Sequence, residues 1–197
     1  LFPDAQVVHL VRDPRDSVAS LKRMTWWRHG TVGAVATWVH AVDCARGAAR
    51  RLPAGSFLEL RYEDLVRDPQ QELERLCAFL GEDFEQSMLE HQDEAARLPE
   101  RQRGRWHRET QNEVGTRRVG TYAGVLSAGE VALVERVAGS RMRRLGYDVP
   151  VRRGSGGVPP RVLLRYAKKI AQLRLRTAVR ARRDAWLAAP EGSVAYR

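Results

Sequence analysis

The sequence predicts an α/β domain with a parallel sheet flanked by helices, followed by a basic C-terminal helix. Two short apolar runs, QVVHLV at residues 6–11 and FLELR at residues 57–61, have the composition of buried strands. Each run is followed by a helix signal, and successive strand-to-helix units place their strands in parallel. Basic residues around an apolar stripe near the end of the chain predict the additional helix.

Capping residues mark where the helices begin and end. Two Asp-Pro pairs, at 13–14 and 68–69, place an N-cap aspartate before a proline in the first turn. Residues 32–52 carry the stripe of a core-facing helix, and residues 127–146 open with the capping box Ser-Ala-Gly-Glu. The positions expected to face the core are Val18, Leu21, Met24, Val35, Val39, Val42, Ala45, Ala49, Leu73, Leu76, Cys77, Leu80, Val131, Val134, Ala138, Met142 and Leu145.

Residues 90–118 lack this apolar period and are predicted to form a long loop. A loop of that length is either a functional lid or a disordered link, and both interpretations stay open here. Within it, Trp106 is the aromatic residue we expect on the side of an acceptor substrate. Trp38 is expected to pack in the core, whereas Trp26 and Trp27 fit either packing or an acceptor pocket.

The net charge of +10 belongs to the end of the chain. Residues 1–150 hold 22 basic and 22 acidic residues, whereas the remaining 47 hold 12 basic residues and two acids. We therefore divide the chain into a domain of residues 1–148, a Gly- and Pro-rich linker of residues 149–160, and a basic helical tail of residues 161–197.

The predicted tail helix carries an apolar stripe of Leu163, Tyr166, Ile170 and Leu173. Contact with an anionic membrane surface or a polyanion is one interpretation, and a solvated or oligomer-packing helix is the other. The charge distribution gives no reason to expect nucleic acid as a partner of the domain, and it sets no oligomeric state.

Cysteine and histidine usage predicts no metal site. Cys44 and Cys77 are too few for a disulfide framework and lack zinc-site spacing, so we expect two small buried thiols in a reducing compartment. The absence of a long apolar run fits the same expectation of a cytoplasmic protein. The histidines, which also lack metal spacing, are His9, His29, His40, His91 and His107.

The segment VRDPRDSVAS, residues 11–20, is predicted to bind an anion. Because a strand here turns directly into a helix, Arg12 lies beside free backbone N–H groups and the positive end of the helix dipole. Ser20, two helical turns later, can offer a hydroxyl to the same anion, while Asp13 and Asp16 are expected to act as caps. Taken alone, the segment also fits an ordinary surface arginine before a capped helix.

Tyr62, at the end of the second strand, strengthens the prediction. Ligands of open parallel sheets bind beyond the carboxyl ends of the strands, so Tyr62 and Arg12 are expected at the same edge. Together the two residues suit the ring and the phosphate of one nucleotide.

These segments resemble the sulfotransferases that use 3′-phosphoadenosine 5′-phosphosulfate (PAPS). Residues 11–20 are similar to the family's 3′-phosphate-binding motif, an arginine followed eight residues later by a serine. Residues 61–81 are similar to its tyrosine-containing strand and following helix, and residues 119–147 to its closing segment. The resemblance covers residues 1–148 in order and is strongest to the bacterial and tyrosylprotein-type branches.

The resemblance implies a partial P-loop-like sheet and PAPS as co-substrate, with no metal. It implies that Arg12 and Ser20 hold the 3′-phosphate and that Tyr62 contacts the adenine. A backbone loop at residues 116–122 would fold over the same phosphate. The residues implied at that loop are Arg117 or Arg118, and Gly120.

The family's Gly-rich loop for the 5′-phosphosulfate, and its usual Glu or His base, lie upstream of the 3′-phosphate strand. Nothing in this sequence matches them. We therefore expect a C-terminal portion of a sulfotransferase that is inactive alone, with its catalytic base upstream of Leu1.

The predicted function is transfer of a sulfuryl group from PAPS to a hydroxyl or amine of a carbohydrate, lipid, peptide or small metabolite. The alternatives are a non-catalytic nucleotide- or polyanion-binding module and a P-loop kinase relative. A kinase needs a Walker loop and a metal-binding carboxylate, and neither motif is visible in the sequence.

Overall fold

Two short strands pair in parallel in the structure, a computed structural model that describes residues 5–90, 115–150 and 157–187. Strand β1 (Val7–Val11) and strand β2 (Phe57–Arg61) align in register, so that Val11 lies opposite Arg61. The predicted strands and their parallel pairing are therefore confirmed. Because the two strands are aligned residue for residue, both end at the same edge of the sheet.

Helices follow both strands and cover the pair. In the described part of the chain they are α1 (Pro14–Arg23), α2 (Gly30–Ala49), α3 (Tyr62–Arg67), α4 (Pro69–Leu80), α5 (Ala128–Arg144) and α6 (Pro160–Leu187). Both predicted aspartate caps are present, since Asp13 accepts from the Arg15 N–H at 2.8 Å and Asp68 from the Gln71 N–H at 3.1 Å. Helix α3 was not predicted, because six residues directly after a strand are too few to show a helical period.

The core lies around α2, which contacts α1, α5 and α6. The predicted stripe of α5 is buried, as are Val35, Val39 and Val42 of the α2 stripe, whereas Ala45 and Ala49 are half-buried. Val11 at the end of β1 joins the same cluster. Large apolar side chains that are fully buried include Val18, Val35, Val39, Val42, Val134 and Met142. The chain therefore builds one core from helices that precede and follow β2.

Two predicted core positions are wrong. Leu80 is 39% exposed, because it is the last residue of α4, where Gly81 turns into the left-handed region with φ 78°. Cys44 is exposed, because it lies about 200° around α2 from the buried Val42 and so faces away from the core. Cys77 is buried, as expected.

The two strands are covered unequally. Leu58 and Leu60 of β2 are buried, whereas Val8 and Leu10, their partners in β1 on the same face, are 41% and 53% exposed. Parallel strands are normally covered on both faces. Among the described residues, β2 is therefore the better protected strand.

Helix α6 packs against α2 with the predicted apolar stripe. Ile170 is buried in the core cluster, and Leu163 and Tyr166 pack against it. Polar contacts hold the next turns, since His40 lies 2.8 Å from the Thr177 hydroxyl. The predicted tail helix is confirmed, while the segment boundaries at residues 148 and 160 stay predictions. None of the described helices is long and apolar enough to span a membrane.

The predicted capping box at the start of α5 is present and joins three helices. The N–H of Glu130 donates to the Ser127 hydroxyl at 3.3 Å, and the Ser127 N–H donates to the Glu130 carboxylate at 2.9 Å. Lys22 of α1 donates to the same carboxylate at 2.8 Å, and the Thr31 hydroxyl of α2 also donates to it. Burial alone would raise the pKa of Glu130, but these hydrogen bonds outweigh it and lower the pKa to about 2.

Stability is predicted to depend on the charge of Glu130. Because the folded pKa lies below the ordinary value of 4.5, the contribution is complete above pH 4.5 and disappears as the pH falls toward 2. We expect Glu130→Gln to lose on the order of 1 kcal/mol at pH 7, since the partly exposed ion pair is screened by solvent. Urea unfolding at pH 7 and pH 3 measures this. A difference between variant and wild type that is equally large at both pH values would contradict the assignment.

Candidate anion-binding site at the strand ends

Arg12 and Tyr62 lie together where the two strands end. Arg12 follows β1 directly and Tyr62 follows β2, so the even register brings both to one edge of the sheet. The Arg12 guanidinium carbon lies 4.6 Å from the centre of the Tyr62 ring. The sequence-based expectation that these residues share an edge is confirmed.

The positive charge of Arg12 is not paired with a carboxylate of the described residues. Its Nη2 donates to the carbonyl oxygen of Arg118, and its own carbonyl accepts from Trp38 Nε1 at 2.9 Å. Its Nε is buried without a hydrogen-bond partner in the residues described, and no ion pair joins it there to a carboxylate. An unpaired buried donor costs about 1 to 3 kcal/mol, so such groups in folded proteins call for an explanation. A bound anion would provide the missing acceptor.

The acidic side chains around this edge are engaged by other donors. Asp13 pairs with Arg15 at 2.7 Å. Glu63 accepts from the Asp13 N–H at 2.8 Å and from the Tyr147 hydroxyl at 2.9 Å. Burial and the charge of Glu63 raise the pKa of Tyr147, which keeps this hydroxyl protonated as a donor. Asp64 contacts Arg67 at 3.1 Å. These pairings leave the charge of Arg12 available to a ligand.

Asp16 is not the cap that the sequence suggested. It is buried in α1, where it accepts from the backbone N–H groups of Gly120 at 2.7 Å and Tyr122 at 2.9 Å. The Thr121 hydroxyl lies 3.4 Å away. Its partners are more than 100 residues distant, so no local spacing could have revealed them. Asp16 thereby fixes the segment of residues 116–124 against the first turns of α1.

That segment supplies the loop that the family resemblance placed over the phosphate. It consists of two short 3₁₀ turns, Thr116–Arg118 and Thr121–Gly124, joined at Gly120 with φ 74°. A side chain at that left-handed φ would be strained, which accounts for glycine there. The Gly120 N–H donates to Asp16, so this backbone group stabilises the turn.

The remaining predicted binding residues differ in exposure. Ser20 is half-buried in α1, eight residues after Arg12. Arg118 is half-buried with its carbonyl bonded to Arg12, whereas Arg117 is exposed. The phosphate-binding roles of Ser20, Tyr62, Arg117, Arg118 and Gly120 stay predictions.

Sequence reasoning missed a second arginine at the edge, Arg61. Its guanidinium carbon lies 4.5 Å from the centre of the Tyr147 ring, and its Nε is also buried without a partner among the described residues. Gly146 lies beside this stack with φ 76°, a backbone conformation that a side chain would strain. The strand register could have indicated that Arg61 lies at this edge, because Arg61 pairs with Val11, the residue that precedes Arg12.

Three of the described tryptophans and histidines have contacts or exposures that bear on the predictions. Trp38 is partly buried and bonded to Arg12, while Trp26 is exposed. His9 pairs with Glu59 across the strands at 3.2 Å. No cluster of potential metal ligands occurs within residues 5–90, 115–150 and 157–187. Trp106, His91 and His107 lie outside the described residues.

Comparison with known proteins identifies relatives of the first half of the chain. Residues 1–86 match the family model described as the sulfotransferase family. The chain is 34% identical over 98 residues to omega-hydroxy-beta-dihydromenaquinone-9 sulfotransferases of Mycobacterium bovis and Mycobacterium tuberculosis. The match covers 43% of this chain and 25% of each relative. The matched part therefore spans about a quarter of the length of these curated relatives.

Solved structures share the fold at lower sequence identity. The sulfotransferase domain of the Synechococcus PCC 7002 olefin synthase has a TM-score of 0.61 at 24% identity, covering 74% of this chain and 50% of that one. The sulfotransferase domain of the curacin biosynthetic pathway has a TM-score of 0.55 at 22% identity, covering 76% of this chain and 56% of that one. The α/β fold is thus that of sulfotransferase domains. In addition, residues 1–86 are similar to the sulfotransferase family model.

Proposed function

We propose that this chain forms the 3′-phosphate- and adenine-binding part of a PAPS-dependent sulfotransferase. One observation carries the proposal. The Arg12 guanidinium has no carboxylate partner in the described residues, keeps an orphaned Nε, and stacks on Tyr62 at the carboxyl ends of two parallel strands. A nucleotide phosphate supplies the acceptor that Arg12 lacks, and an aromatic ring beside it suits a base.

The chemistry of sulfuryl transfer explains why such a site contains cations and backbone donors. When PAPS is bound, the acceptor oxygen forms a bond to sulfur while the bond from sulfur to the 5′-phosphate oxygen breaks. Arg12 and the loop of residues 116–124 would bind the 3′-phosphate, which is far from the reacting sulfur. This contact would fix the nucleotide while negative charge develops on the leaving phosphate. In this account the residues of this chain bind and orient, and none is assigned as the base that takes the acceptor proton.

We favour a hydroxyl group as the acceptor. The curated relatives are named for a hydroxylated dihydromenaquinone, and they match this chain at 34% identity. That name concerns the relatives, so the molecule that carries the hydroxyl is left to substrate screening. Amine acceptors serve as the comparison class in such a screen.

Arg12 is predicted to provide selectivity for the 3′-phosphate. The 197-residue chain should bind adenosine 3′,5′-bisphosphate more tightly than 5′-AMP, as measured by calorimetry. Arg12→Gln should remove about 2 to 4 kcal/mol of that preference, because it deletes a charge-assisted contact in a partly buried site. The matched control is Arg50→Gln, which removes an exposed arginine at the end of α2. Equal affinity of the wild-type chain for the two nucleotides would refute the proposed site.

A matched pair of variants distinguishes the two loop arginines. We expect Arg118→Gln to weaken binding of adenosine 3′,5′-bisphosphate by about tenfold, the scale of one charge-assisted contact. Arg117→Gln should change the affinity much less, because Arg117 is exposed and Arg118 is half-buried beside Arg12. The reverse order would show that the loop presents Arg117 to the phosphate.

The 197-residue chain is predicted to bind the nucleotide without catalysing transfer. The sequence holds no match to a 5′-phosphosulfate loop, and no described residue is placed as a general base. Incubation with radiolabelled PAPS and a panel of hydroxyl acceptors should yield no labelled product. Measurable turnover by this chain, abolished in the Arg12→Gln variant, would mean that the catalytic residues lie within it.

A further inference from the structure

Helix α6 has a second apolar stripe, on the side opposite its packing surface. The inner side, with Leu163, Tyr166 and Ile170, is already used against α2. Three large apolar residues remain outside: Leu164, Leu175 and Val179 are 57%, 66% and 57% exposed. They recur at intervals of eleven and four residues, about three turns and one turn, so they lie along one line of the helix. We name this line the outer stripe.

Basic side chains surround the outer stripe. Residues 157–187 hold nine basic residues and one acid, Asp184. Within the described residues, Arg174 is the one of these basic residues that pairs with an acid of the domain, contacting Asp43 of α2 at 3.3 Å. The exposed basic residues near the stripe are Arg161, Arg165, Lys168, Arg176, Arg180, Arg182 and Arg183. The outer side of α6 thus combines exposed apolar groups with a strong positive charge.

We propose that the outer stripe and its basic border form a docking surface for an anionic lipid bilayer. The combination matches the physical requirements of an interfacial helix, whose apolar face enters the headgroup region while Arg and Lys meet anionic headgroups. Long basic side chains can extend their charged ends to the phosphates while their stems cover the apolar line. This inference is independent of the proposed sulfotransferase activity.

The same features disfavour other occupants. A second copy of the chain would bring two strongly positive faces together, and like charges repel. A soluble polyanion would use the basic residues but leaves no role for three apolar side chains that are more than half exposed. Helix α2 does not cover the outer stripe, because α2 contacts the opposite side of α6, for example where His40 meets Thr177. An anionic membrane satisfies both the charge and the apolar line.

Vesicle co-sedimentation of the full 197-residue chain tests the proposal. Binding to phosphatidylcholine vesicles that contain phosphatidylglycerol should exceed binding to phosphatidylcholine alone, and it should weaken as ionic strength rises above about 0.15 M. The double variant Leu175→Ser, Val179→Ser should reduce vesicle affinity by about tenfold, because it removes the apolar contact without changing charge. Arg176→Gln with Arg180→Gln should also reduce it by about tenfold or more.

Leu80→Ser is the matched control, since it removes an exposed leucine at the end of α4. It should leave vesicle binding unchanged, and circular dichroism melting verifies that each variant is folded. The proposal is overturned if the chain does not bind anionic vesicles, or if the serine double variant binds them as well as wild type. Tight binding to heparin that competes with vesicles and ignores the serine substitutions would assign the face to a polyanion. A dimer that the serine substitutions dissociate would assign it to a second copy.

Discussion

The in-register parallel pairing of β1 and β2 is the constraint on which the site depends. Because Val11 lies opposite Arg61, both strands end together, and the residues that follow them must meet at one edge. The cation of Arg12 therefore stacks on Tyr62, and Glu63 reaches back to accept the Asp13 N–H. A shift of one residue in this register would turn every strand side chain to the opposite face and separate these groups. The pairing thus decides the geometry of the edge before any ligand is considered.

In the described residues, the acids at this edge are paired by the protein, whereas Arg12 has no carboxylate partner. Asp13, Glu63 and Asp64 are each bonded to a donor that the fold supplies. The Asp16 carboxylate accepts hydrogen bonds from backbone N–H groups of the loop of residues 116–124. The same loop carries the Arg118 carbonyl that accepts from Arg12. The carboxylates therefore organise the site without neutralising it. This division explains how residues 1–150, with as many acids as bases, can still carry an unpaired positive charge at this edge among the described residues.

Local signals in the sequence were enough for much of this structure. The Asp-Pro pairs, the capping box at Ser127 and the two apolar runs predict elements that the structure contains, because each depends on neighbours within a few residues. The meeting of Arg12 with Tyr62 was also predictable, since parallel strands share an edge. The contacts of Asp16 with the loop and of Arg61 with Tyr147 were not, because they join residues more than 80 positions apart. The outer stripe of α6 could not be identified from the sequence for another reason. When a helix has apolar residues on two sides, only the position of the neighbouring helix shows which side packs.

The central claim is that the strand ends bind the 3′-phosphate of a nucleotide, and a crystal structure of this chain with adenosine 3′,5′-bisphosphate tests it most directly. The account predicts the 3′-phosphate within hydrogen-bond distance of the Arg12 guanidinium and the Ser20 hydroxyl, with the adenine against Tyr62. A nucleotide bound elsewhere, or bound at this edge with its 3′-phosphate in solvent, would contradict it.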